Sequence, residues 1–379
     1  MNVLFLEAYC SGSHQAFMEG WKERSRHRVH CLTLPGRKWK WRMQTGAWIF
    51  AREAMKLKTP KPDVIIATDM INLAEFLGLT RSRFAHVPTI LYFHENQYSY
   101  PPQIDDKPDY HWGVINAASA LAADRLIFNS EFHRRDFFKQ WRKGNKIMPD
   151  ARLRPERIGK IQEKALVVPV GVDTDFLDAG EHQQPDTKAP PLILWNHRWE
   201  HDKKPDLFFD ALRTLKKEGV PFRLAVCGES FASAPSCFEK AREEFHDETE
   251  CFGYMKSREA YARLLWEADI VVSTAVQEFL GISVIEAAWC GCRPLLPERL
   301  NYPWLLPQDQ HEQNLYRTKK DLIERLHQWL RKPEAITYAP RQDYLKAYTW
   351  KRVAKEMDKT MEKVHTSSVC NSSKTINNA

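Results

Sequence analysis

The sequence predicts an α/β protein of two doubly wound domains, each built on a parallel sheet with helices on both faces. Three observations support this fold class. The chain has 379 residues, a length that suits two domains. Short continuous apolar runs alternate with longer helical segments along most of the chain. A polar stretch with three prolines, at 178–191, separates two such series and is the best linker candidate.

The first domain is assigned to residues 1–175. Its predicted strands are continuous apolar runs, at 3–6, 29–34, 64–67, 89–93, 125–128 and 164–170. Its predicted helices lie between those runs, at 13–21, 47–57, 73–79, 114–123 and 131–141. Because each strand is apolar along its whole length, we expect a sheet that is buried on both faces.

The second domain is assigned to residues 190–345 and repeats the same alternation. Its predicted strands lie at 192–195, 222–226, 270–273 and 293–296, and its predicted helices at 205–218, 238–245, 258–268, 283–290 and 321–330. A further predicted helix, 346–365, is long enough to cross back to the first domain, and the Ser/Asn-rich residues 366–379 are predicted to be disordered. Since ligands of such sheets bind at the carboxyl ends of the strands, a cleft between the domains is the expected site.

The composition argues against several classes of protein. No run of eighteen apolar residues occurs, which disfavours a transmembrane helix. The eight cysteines show no framework spacing, as expected for reduced thiols in the cytoplasm. The net charge of +7 is modestly basic and fits a solvated surface as well as it fits a nucleic-acid partner. We therefore expect a cytoplasmic protein without stable membrane association.

Glu278 and Glu286 flank a turn that directly follows the predicted strand at 270–273. Glu278 falls in the loop, Glu286 falls in the next helix, and Gly281 between them permits close approach of the backbone to a ligand. The start of the helix offers unpaired N–H groups to an anion, and carboxylates accept hydrogen bonds from vicinal hydroxyl groups. The pattern fits a diphosphate ligand that carries sugar hydroxyls, with two ordinary solvated glutamates as the alternative.

This segment resembles the E-x7-E element of the retaining GT-B glycosyltransferases (group 1, family 4), whose two Rossmann-like domains face each other across a cleft. The resemblance implies that Glu278 touches the transferred sugar and that Glu286 binds the ribose hydroxyls of a nucleotide sugar. It also implies that the turn between them lines the sugar and the phosphates through Phe279, Leu280, Gly281, Ile282 and Ser283. One departure is Phe-Leu-Gly in this chain, where many members have Phe-Gly.

A basic loop follows the first strand of the second domain, in Trp195-Asn-His-Arg-Trp-Glu-His-Asp-Lys-Lys-Pro-Asp206. It resembles the Gly-Arg…Lys-Gly element of the same family, in which cations neutralise the departing diphosphate. The resemblance implies this role for Arg198 and Lys204, with Lys203 as the alternative lysine. A leaving nucleoside diphosphate gains negative charge, so fixed cations lower the barrier. A solvated basic loop is the competing interpretation.

Turns that contain glycine are weaker candidates for donor contacts. Gly228 follows the predicted strand at 222–226 and resembles a glycine-rich turn of the family, and Tyr254 ends Cys251-Phe-Gly-Tyr254, which resembles a family element near the nucleotide base. Gly12 and Ser13 form a short turn at a helix start, which can approach a phosphate. A simple turn is the alternative at each of these places.

Two acidic pairs raise the question of a metal site. Asp173 and Asp175 have the DxD spacing of metal-binding glycosyltransferases of another fold. The surrounding Pro169-Val-Gly-Val-Asp-Thr-Asp-Phe176 resembles instead the interdomain junction of GT-B enzymes. Asp105 and Asp106 have no partner at a suitable spacing. We therefore expect no metal, and no cofactor apart from the donor substrate.

A polar segment, His94-Glu95-Asn96-Gln97, follows the apolar strand at 89–93 of the first domain. Together these residues are too polar for a core, and they stand at the carboxyl end of a strand, where sites occur. In related enzymes a histidine at this place lies beside the reacting sugar, so the resemblance implies a catalytic role for His94. Glu95, Asn96 and Gln97 are assigned to the acceptor. A structural histidine is the alternative.

Lys38, Trp39, Trp41 and Arg42 interleave cations with indoles, a combination that can grip phosphates and stack an exposed base. Nine Lys or Arg residues at 134–157 could also contact an RNA backbone. Packing at an amphipathic edge is the alternative for the two tryptophans. Together with the blocks at 6–14, 92–97 and 128–130, these residues resemble glycosyltransferases that mannosylate queuosine in tRNA. That resemblance implies GDP-mannose as donor and queuosine at the wobble position of tRNA-Asp as acceptor.

Two other functions are compatible with the sequence. One is a GT-B glycosyltransferase with a lipid or polysaccharide acceptor, which a long basic amphipathic helix would support. The other is a non-catalytic protein that binds tRNA or a nucleotide. The intact pair of Glu278 and Glu286 argues against this second alternative.

Overall fold

The computed structural model describes residues 1–99, 110–148, 152–181, 189–230 and 234–376, with the side chains of the last helix described as far as 368. Some predictions concern residues outside these ranges, namely Asp105 and Asp106, part of the 178–191 linker and part of the basic run at 134–157. The chain forms two compact units, one of Met1–Gly171 with Trp350–Ala379 and the other of Val172–Thr349. The predicted domains, 1–175 and 190–345, divide the chain at a similar place.

The first unit is a parallel α/β sheet with helices between its strands. Its strands are β1 (Asn2–Cys10), β2 (Arg28–Pro35), β3 (Val64–Thr68), β4 (Thr89–Phe93), β5 (Arg125–Phe128) and β6 (Ala165–Val167). Its helices before the second unit are α1 (Gly12–Arg24), α2 (Trp39–Lys56), α3 (Leu73–Leu79), α4 (Arg81–Phe84), α5 (Tyr110–Ala122), α6 (Glu131–Ile147) and α7 (Pro155–Gln162).

The strand order of this sheet is β2-β1-β3-β4-β5-β6, and all of its pairings are parallel. The order reverses between β1 and β3, so the connections after these two strands leave the sheet on opposite faces. The carboxyl ends of strands at such a reversal are where ligands bind in doubly wound sheets. The fold therefore directs attention to the segments that follow β1, β3 and β4.

Helix α2 begins earlier than the sequence predicts. The predicted start is 47, whereas the helix begins at Trp39. Met43, Gly46, Ala47 and Phe50 are all buried, so the apolar spacing of three and four residues extends back into the Lys-Trp block. The basic and aromatic residues at 39–42 are thus the first turn of a helix.

The second unit repeats this architecture. Its strands are β7 (Leu192–Asn196), β8 (Arg223–Cys227), β9 (Thr249–Gly253), β10 (Ile270–Val272), β11 (Arg293–Pro297) and β12 (Leu315–Tyr316). Its helices are α8 (Thr174–Asp178), α9 (Pro205–Lys217), α10 (Cys237–Glu244), α11 (Arg258–Glu267), α12 (Ile282–Trp289), α13 (Tyr302–Leu305), α14 (His311–Asn314) and α15 (Lys319–Arg331). The strand order is β12-β11-β10-β7-β8-β9, which reverses between β7 and β10. The segments after those two strands are the expected ligand site.

The last helix, α16 (Trp350–Ile376), belongs to the first unit. Asp358 fastens it by accepting hydrogen bonds from Trp21 Nε1 at 2.9 Å and from Ser25 Oγ at 2.6 Å. The helix continues beyond the predicted end at 365 into a stretch predicted to be disordered, because no glycine or proline interrupts 350–376. No helix within the described ranges is both long and apolar enough to cross a membrane.

Candidate active site

In the second unit, the loop after β10 places Glu278 beside Lys203. Gly281 ends this loop with φ 90°, in the left-handed region, and caps the start of α12. The Glu278 carboxylate accepts hydrogen bonds from the backbone N–H of Gly281 at 3.0 Å and of Leu280 at 3.3 Å. Lys203 Nζ lies 3.4 Å from Glu278 Oε2 and donates to the Gln277 carbonyl at 2.7 Å. The loops after β7 and β10 therefore meet in an ion pair at the sheet reversal.

Both members of this pair are charged. Burial raises the pKa of Glu278, but Lys203 and the two backbone N–H donors outweigh it, and the pKa lies below its ordinary value. Burial lowers the pKa of Lys203, but Glu278 and Asp202 outweigh it, and the pKa lies above its ordinary value. A fixed ammonium group thus stands beside the carboxylate that the sequence assigns to the transferred sugar.

The two candidate lysines have different environments. Lys203 is buried, whereas the neighbouring Lys204 is exposed and has φ 48° at the start of α9. The structure therefore brings Lys203 to Glu278, whereas the sequence favoured Lys204 as the lysine that binds the diphosphate. The left-handed backbone at 204 turns the Lys204 side chain to the surface, while the Lys203 side chain points inward. Arg198 is half exposed, and its Nη2 pairs with Glu200 at 3.1 Å.

Glu286 lies in α12 at the end of a hydrogen-bonded chain. Asn196, the last residue of β7, donates to the Tyr261 hydroxyl at 3.2 Å, which in turn donates to Glu286 Oε2 at 2.9 Å. Asn196 also donates to the Ser283 carbonyl at 2.9 Å. Burial raises the pKa of Glu286 to about 7, although Tyr261 and Arg258 oppose the shift. Sequence reasoning missed Asn196 and Tyr261, which orient this carboxylate.

The other predicted residues of the turn differ in what they expose. Phe279 and Leu280 are buried, and the Leu280 carbonyl accepts from Asn301 Nδ2 at 2.9 Å. Their side chains therefore fix the turn, and the backbone is what a ligand can meet. Ile282 begins α12.

Gly228 and Tyr254 lie in the loops after β8 and β9. A methyl group at Gly228 would stand 1.8 Å from the His197 carbonyl oxygen, so only glycine lets these two loops approach. The Tyr254 side chain is 67% exposed and is available to a planar base. Both positions fit the predicted nucleotide side of the site.

In the first unit, a buried glutamate on β1 organises a polar cluster. Glu7 is fully buried and accepts hydrogen bonds from Tyr9 N–H at 2.8 Å, Thr68 Oγ1 at 3.1 Å and His14 Nδ1 at 3.2 Å. Burial lowers the pKa of His14, but Glu7 outweighs it and raises that pKa to about 9. His14 is therefore an imidazolium held on a buried carboxylate.

His94, directly after β4, stacks on this imidazolium. The two imidazole centroids lie 4.0 Å apart with an interplanar angle of 32°. Burial and the charge of His14 hold the pKa of His94 well below its ordinary value, so His94 is neutral. The His94 backbone N–H donates to Asp69 Oδ1 at 2.8 Å, and burial raises the pKa of Asp69 to about 8. His94 Nε2 is buried and has no hydrogen-bond partner among the described residues.

Glu7, His14 and Asp69 are the main residues that sequence reasoning left out of the site. The available signal is a glutamate inside an otherwise apolar strand, Val3-Leu-Phe-Leu-Glu-Ala8. Such a residue is rarely buried without a partner. The partners come from α1 and the end of β3, so only the folded sheet identifies them.

This cluster also has the composition of a metal site. One ligand atom each from Glu7, His14 and His94 lies within 4.8 Å of the others. Glu7, however, already has hydrogen bonds from Tyr9, Thr68 and His14, so its burial is compensated without an ion. In the DxD pair, Asp173 accepts a hydrogen bond from Arg258 Nη2 at 3.2 Å.

The rest of the predicted polar segment holds the loop after β4. Asn96 is buried, and its Oδ1 accepts from Ser99 N–H at 3.2 Å and Ser99 Oγ at 2.9 Å. The Gln97 N–H donates to Asn116 Oδ1 at 3.0 Å. Glu95 is partly exposed. The geometry therefore gives Asn96 and Gln97 loop-building contacts and leaves Glu95 nearer to solvent.

The helix starts at the same edge of the sheet carry the remaining candidates. Gly12, with φ 50°, begins α1, and Ser13 follows it on the exposed side. Among the described residues no side chain caps the start of α1, so its N–H groups can receive an anion.

The basic and aromatic block at the start of α2 divides into packed and open residues. Trp39 packs edge-on against Trp112 with centroids 5.3 Å apart, which supports the packing interpretation for this residue. Trp41 is 62% exposed. Lys38 precedes the helix with φ 52°, and Arg42 donates from Nε to the Pro35 carbonyl at 3.2 Å. Trp41 is thus the indole of the pair that a ligand can reach.

Comparisons with known proteins match both halves of the chain. Residues 2–172 match the family described as tRNA-queuosine alpha-mannosyltransferase N-terminal, and residues 180–344 match glycosyl transferases group 1. The chain is 33% identical over 342 residues to the tRNA-queuosine alpha-mannosyltransferase of Drosophila melanogaster, covering 88% of each protein. It is 24% identical over 296 residues to a GDP-mannose-dependent alpha-(1-6)-phosphatidylinositol dimannoside mannosyltransferase of Mycobacterium tuberculosis, covering 75% of this chain and 71% of that one.

Solved structures show the fold. Sucrose-phosphate synthase from Thermosynechococcus elongatus matches with a TM-score of 0.72 at 13% identity, over 97% of this chain and 100% of that one. The Anabaena HepE protein in complex with UDP matches with a TM-score of 0.67 at 14% identity, over 96% and 100%. The predicted GT-B fold is confirmed. With a 33% identical relative that it matches over 88% of both lengths, the chain belongs to the tRNA-queuosine alpha-mannosyltransferase family.

Proposed function

We propose that this protein transfers mannose from GDP-mannose, with retention of the anomeric configuration, to queuosine at the wobble position of tRNA-Asp. The observation that carries the proposal is the extended likeness to the Drosophila tRNA-queuosine alpha-mannosyltransferase. The charged Lys203–Glu278 pair and the buried His14–His94 stack supply the groups that such a reaction needs.

The second unit is proposed to bind the donor. Glu286 accepts hydrogen bonds from the ribose hydroxyls, and Glu278 accepts one from the mannosyl group. Lys203 and Arg198 stabilise the negative charge that develops on GDP as the bond from the anomeric carbon to the phosphate oxygen breaks. The start of α12 adds backbone N–H groups and the positive end of a helix dipole.

The first unit is proposed to position the acceptor hydroxyl. A new bond forms between that hydroxyl oxygen and the anomeric carbon on the face that GDP leaves, and the hydroxyl proton passes to the departing phosphate oxygen. His94 is neutral, and its Nε2 lacks a partner among the described residues, so it can hydrogen-bond to a sugar hydroxyl. Burial, together with the charge of His14, holds the pKa of His94 well below its ordinary value, so His94 stays neutral across the physiological pH range.

Two further features belong to this proposal. The compensated Glu7 carboxylate supports transfer without a metal ion. We further propose that the enzyme acts on tRNA in the cytoplasm, without stable membrane association.

The proposal is tested with the purified full-length protein and radiolabelled GDP-mannose. The acceptors are tRNA-Asp with queuosine at the wobble position, the same tRNA with guanosine there, a second queuosine-containing tRNA, and a lipid extract. Label should enter only the queuosine form of tRNA-Asp, and Glu278→Gln should abolish it. Label in the lipid extract supports the lipid alternative, and tRNA binding without any transfer supports the non-catalytic one.

A further inference from the structure

One face of α2 exposes two indoles that the fold leaves uncovered. Trp41 and Trp48 are 62% and 56% exposed, and they are seven residues apart. Seven residues are nearly two helical turns, so both rings project from the same side, about 10 Å apart along the axis. Thr45 and Arg52 lie on this side too, opposite the buried Met43 and Phe50. We call the side formed by Trp41, Thr45, Trp48 and Arg52 the outer face of α2.

One ring of the outer face has a fixed orientation. The Trp48 indole N–H donates to Glu75 Oε1 on α3, which fixes the edge of the ring and leaves the ring exposed. The Asn72 side chain caps α3 by accepting from the Glu75 N–H at 3.2 Å. A large exposed aromatic ring with a fixed orientation is a preorganised surface for a partner.

The charge around these rings is positive. Residues 37–56 contain six Lys or Arg residues and one carboxylate, Glu53, and Glu75 of α3 adds a second carboxylate at the Trp48 indole. Glu53 is itself paired, with Arg52 at 2.9 Å and with Lys56 at 3.6 Å. Cations around stacked aromatic side chains are the recognition pattern of single-stranded nucleic acid, in which bases stack and phosphates pair. A protein partner would not require so strong an excess of positive charge.

The outer face begins at the edge of the first sheet that carries the candidate site residues of that unit. Helix α2 follows β2, so its first turn lies at the carboxyl edge of the first sheet, the edge that carries His14 and His94. Trp39 anchors this first turn by packing on Trp112 of α5, the helix that comes after the His94 loop in the chain. From there the helix runs away from that edge. An RNA strand whose modified nucleoside lies at the histidines can therefore continue along α2.

We propose that the RNA flanking the modified nucleoside lies along the outer face of α2, with bases stacked on Trp41 and Trp48 and a phosphate paired with Arg52. This inference rests on the proposed tRNA acceptor and adds Trp48 and Arg52 to it. It assigns to α2 the affinity for the RNA chain, separate from recognition of the nucleoside at the histidines.

The test measures binding of queuosine-containing tRNA-Asp by the full-length protein at several salt concentrations. Trp48→Ala should weaken binding by at least about fivefold, since one stacked base contributes roughly that much or more. Trp48→Phe keeps a stacking ring and should stay within about twofold of wild type by the same reasoning. Arg52→Ala should reduce the slope of log affinity against log salt by about one, as for one lost phosphate contact. GDP-mannose affinity and the melting temperature should not change in any of the three, which excludes misfolding.

The outcomes separate this inference from the proposed function. If the wild-type protein mannosylates tRNA and Trp48→Ala binds tRNA as tightly as wild type, the inference is wrong and the function stands. An equal loss in Trp48→Phe and Trp48→Ala also overturns it, because stacking would then not be the contact. If the wild-type protein neither binds nor modifies this tRNA, the proposed function fails and the inference fails with it.

Discussion

Replacing Lys203 with methionine removes an ammonium group that is buried between Glu278 and Asp202, while the volume of the side chain is largely kept. Lys203 Nζ lies 3.4 Å from Glu278 and 3.1 Å from Asp202. At an effective dielectric constant of about 20, an attraction at the first distance corresponds to about 5 kcal/mol before desolvation is counted. Removing one partner of a buried pair costs about 3–5 kcal/mol in unfolding free energy.

The expected loss of stability is at the lower end of that range. Glu278 is 20% exposed and keeps the N–H groups of Leu280 and Gly281, so it is only partly uncompensated. We expect Lys203→Met to lower the unfolding free energy by about 3 kcal/mol, measured by urea denaturation. The effect on kcat/KM for mannosyl transfer should be about 100- to 1000-fold, because a fixed cation no longer stabilises the leaving diphosphate.

Lys204→Met is the matched control. Lys204 is adjacent in sequence and exposed, so its replacement should change stability by no more than about 0.5 kcal/mol. Its effect on transfer should be correspondingly small. Wild-type activity in Lys203→Met, or a loss of activity confined to Lys204→Met, would refute the assignment of Lys203 to the diphosphate.

Three further predictions follow from individual contacts. The pKa of His14 is raised from 6.5 to about 9. The stability that the protonated ring contributes is therefore fully present below pH 6.5 and is lost as the pH rises through 9. This loss should lower the unfolding free energy by about 3 kcal/mol. Urea titrations at pH 6 and pH 10 should show that loss in wild type and much less in Glu7→Gln, and equal losses would contradict it. Gly228→Ala places a methyl group 1.8 Å from the His197 carbonyl and should cost about 1–3 kcal/mol by thermal denaturation, whereas Gly78→Ala, where the new atom meets nothing within 4 Å, should not destabilise. Mannosyl transfer should be unaffected by EDTA, and a loss that a divalent ion restores would assign a metal to Glu7, His14 and His94.

Much of the fold follows from local patterns. Most of the apolar runs are buried along their length, whereas the edge strands β2 and β6 of the first unit are partly exposed. The predicted strands of both units are found close to their predicted positions, but β9 and β12 were not predicted. The start of α2 and the end of α16 lie beyond their predicted positions. A helix continues as long as one face is buried and no helix breaker occurs, and the polar residues at these two places led to shorter predicted helices. Helix and strand ends are also where competing hydrogen bonds decide the conformation.

Less of the candidate site than of the fold could be predicted from the sequence. Seven residues between Glu278 and Glu286 suffice to predict a loop glutamate and a helix glutamate. The choice between Lys203 and Lys204 depends on one left-handed residue, which no spacing rule indicates. His94 was predicted as a site residue, but the reason why it is neutral was not, because that depends on its burial and on the ring of His14 lying 4.0 Å away.

The sequence by itself determined the two-domain α/β architecture, the glutamate pair and the basic loop, because these are encoded by periodicity and by residues close together in the chain. Only the tertiary structure decided which lysine contacts Glu278. It also decided that Glu7 raises the pKa of His14 and so keeps His14 protonated. The same is true of Trp41 and Trp48, which share an open face while Trp39 packs. The physical reason is that pKa, burial and exposure depend on neighbours in space, and β1, β3 and β4 become neighbours only when the sheet assembles.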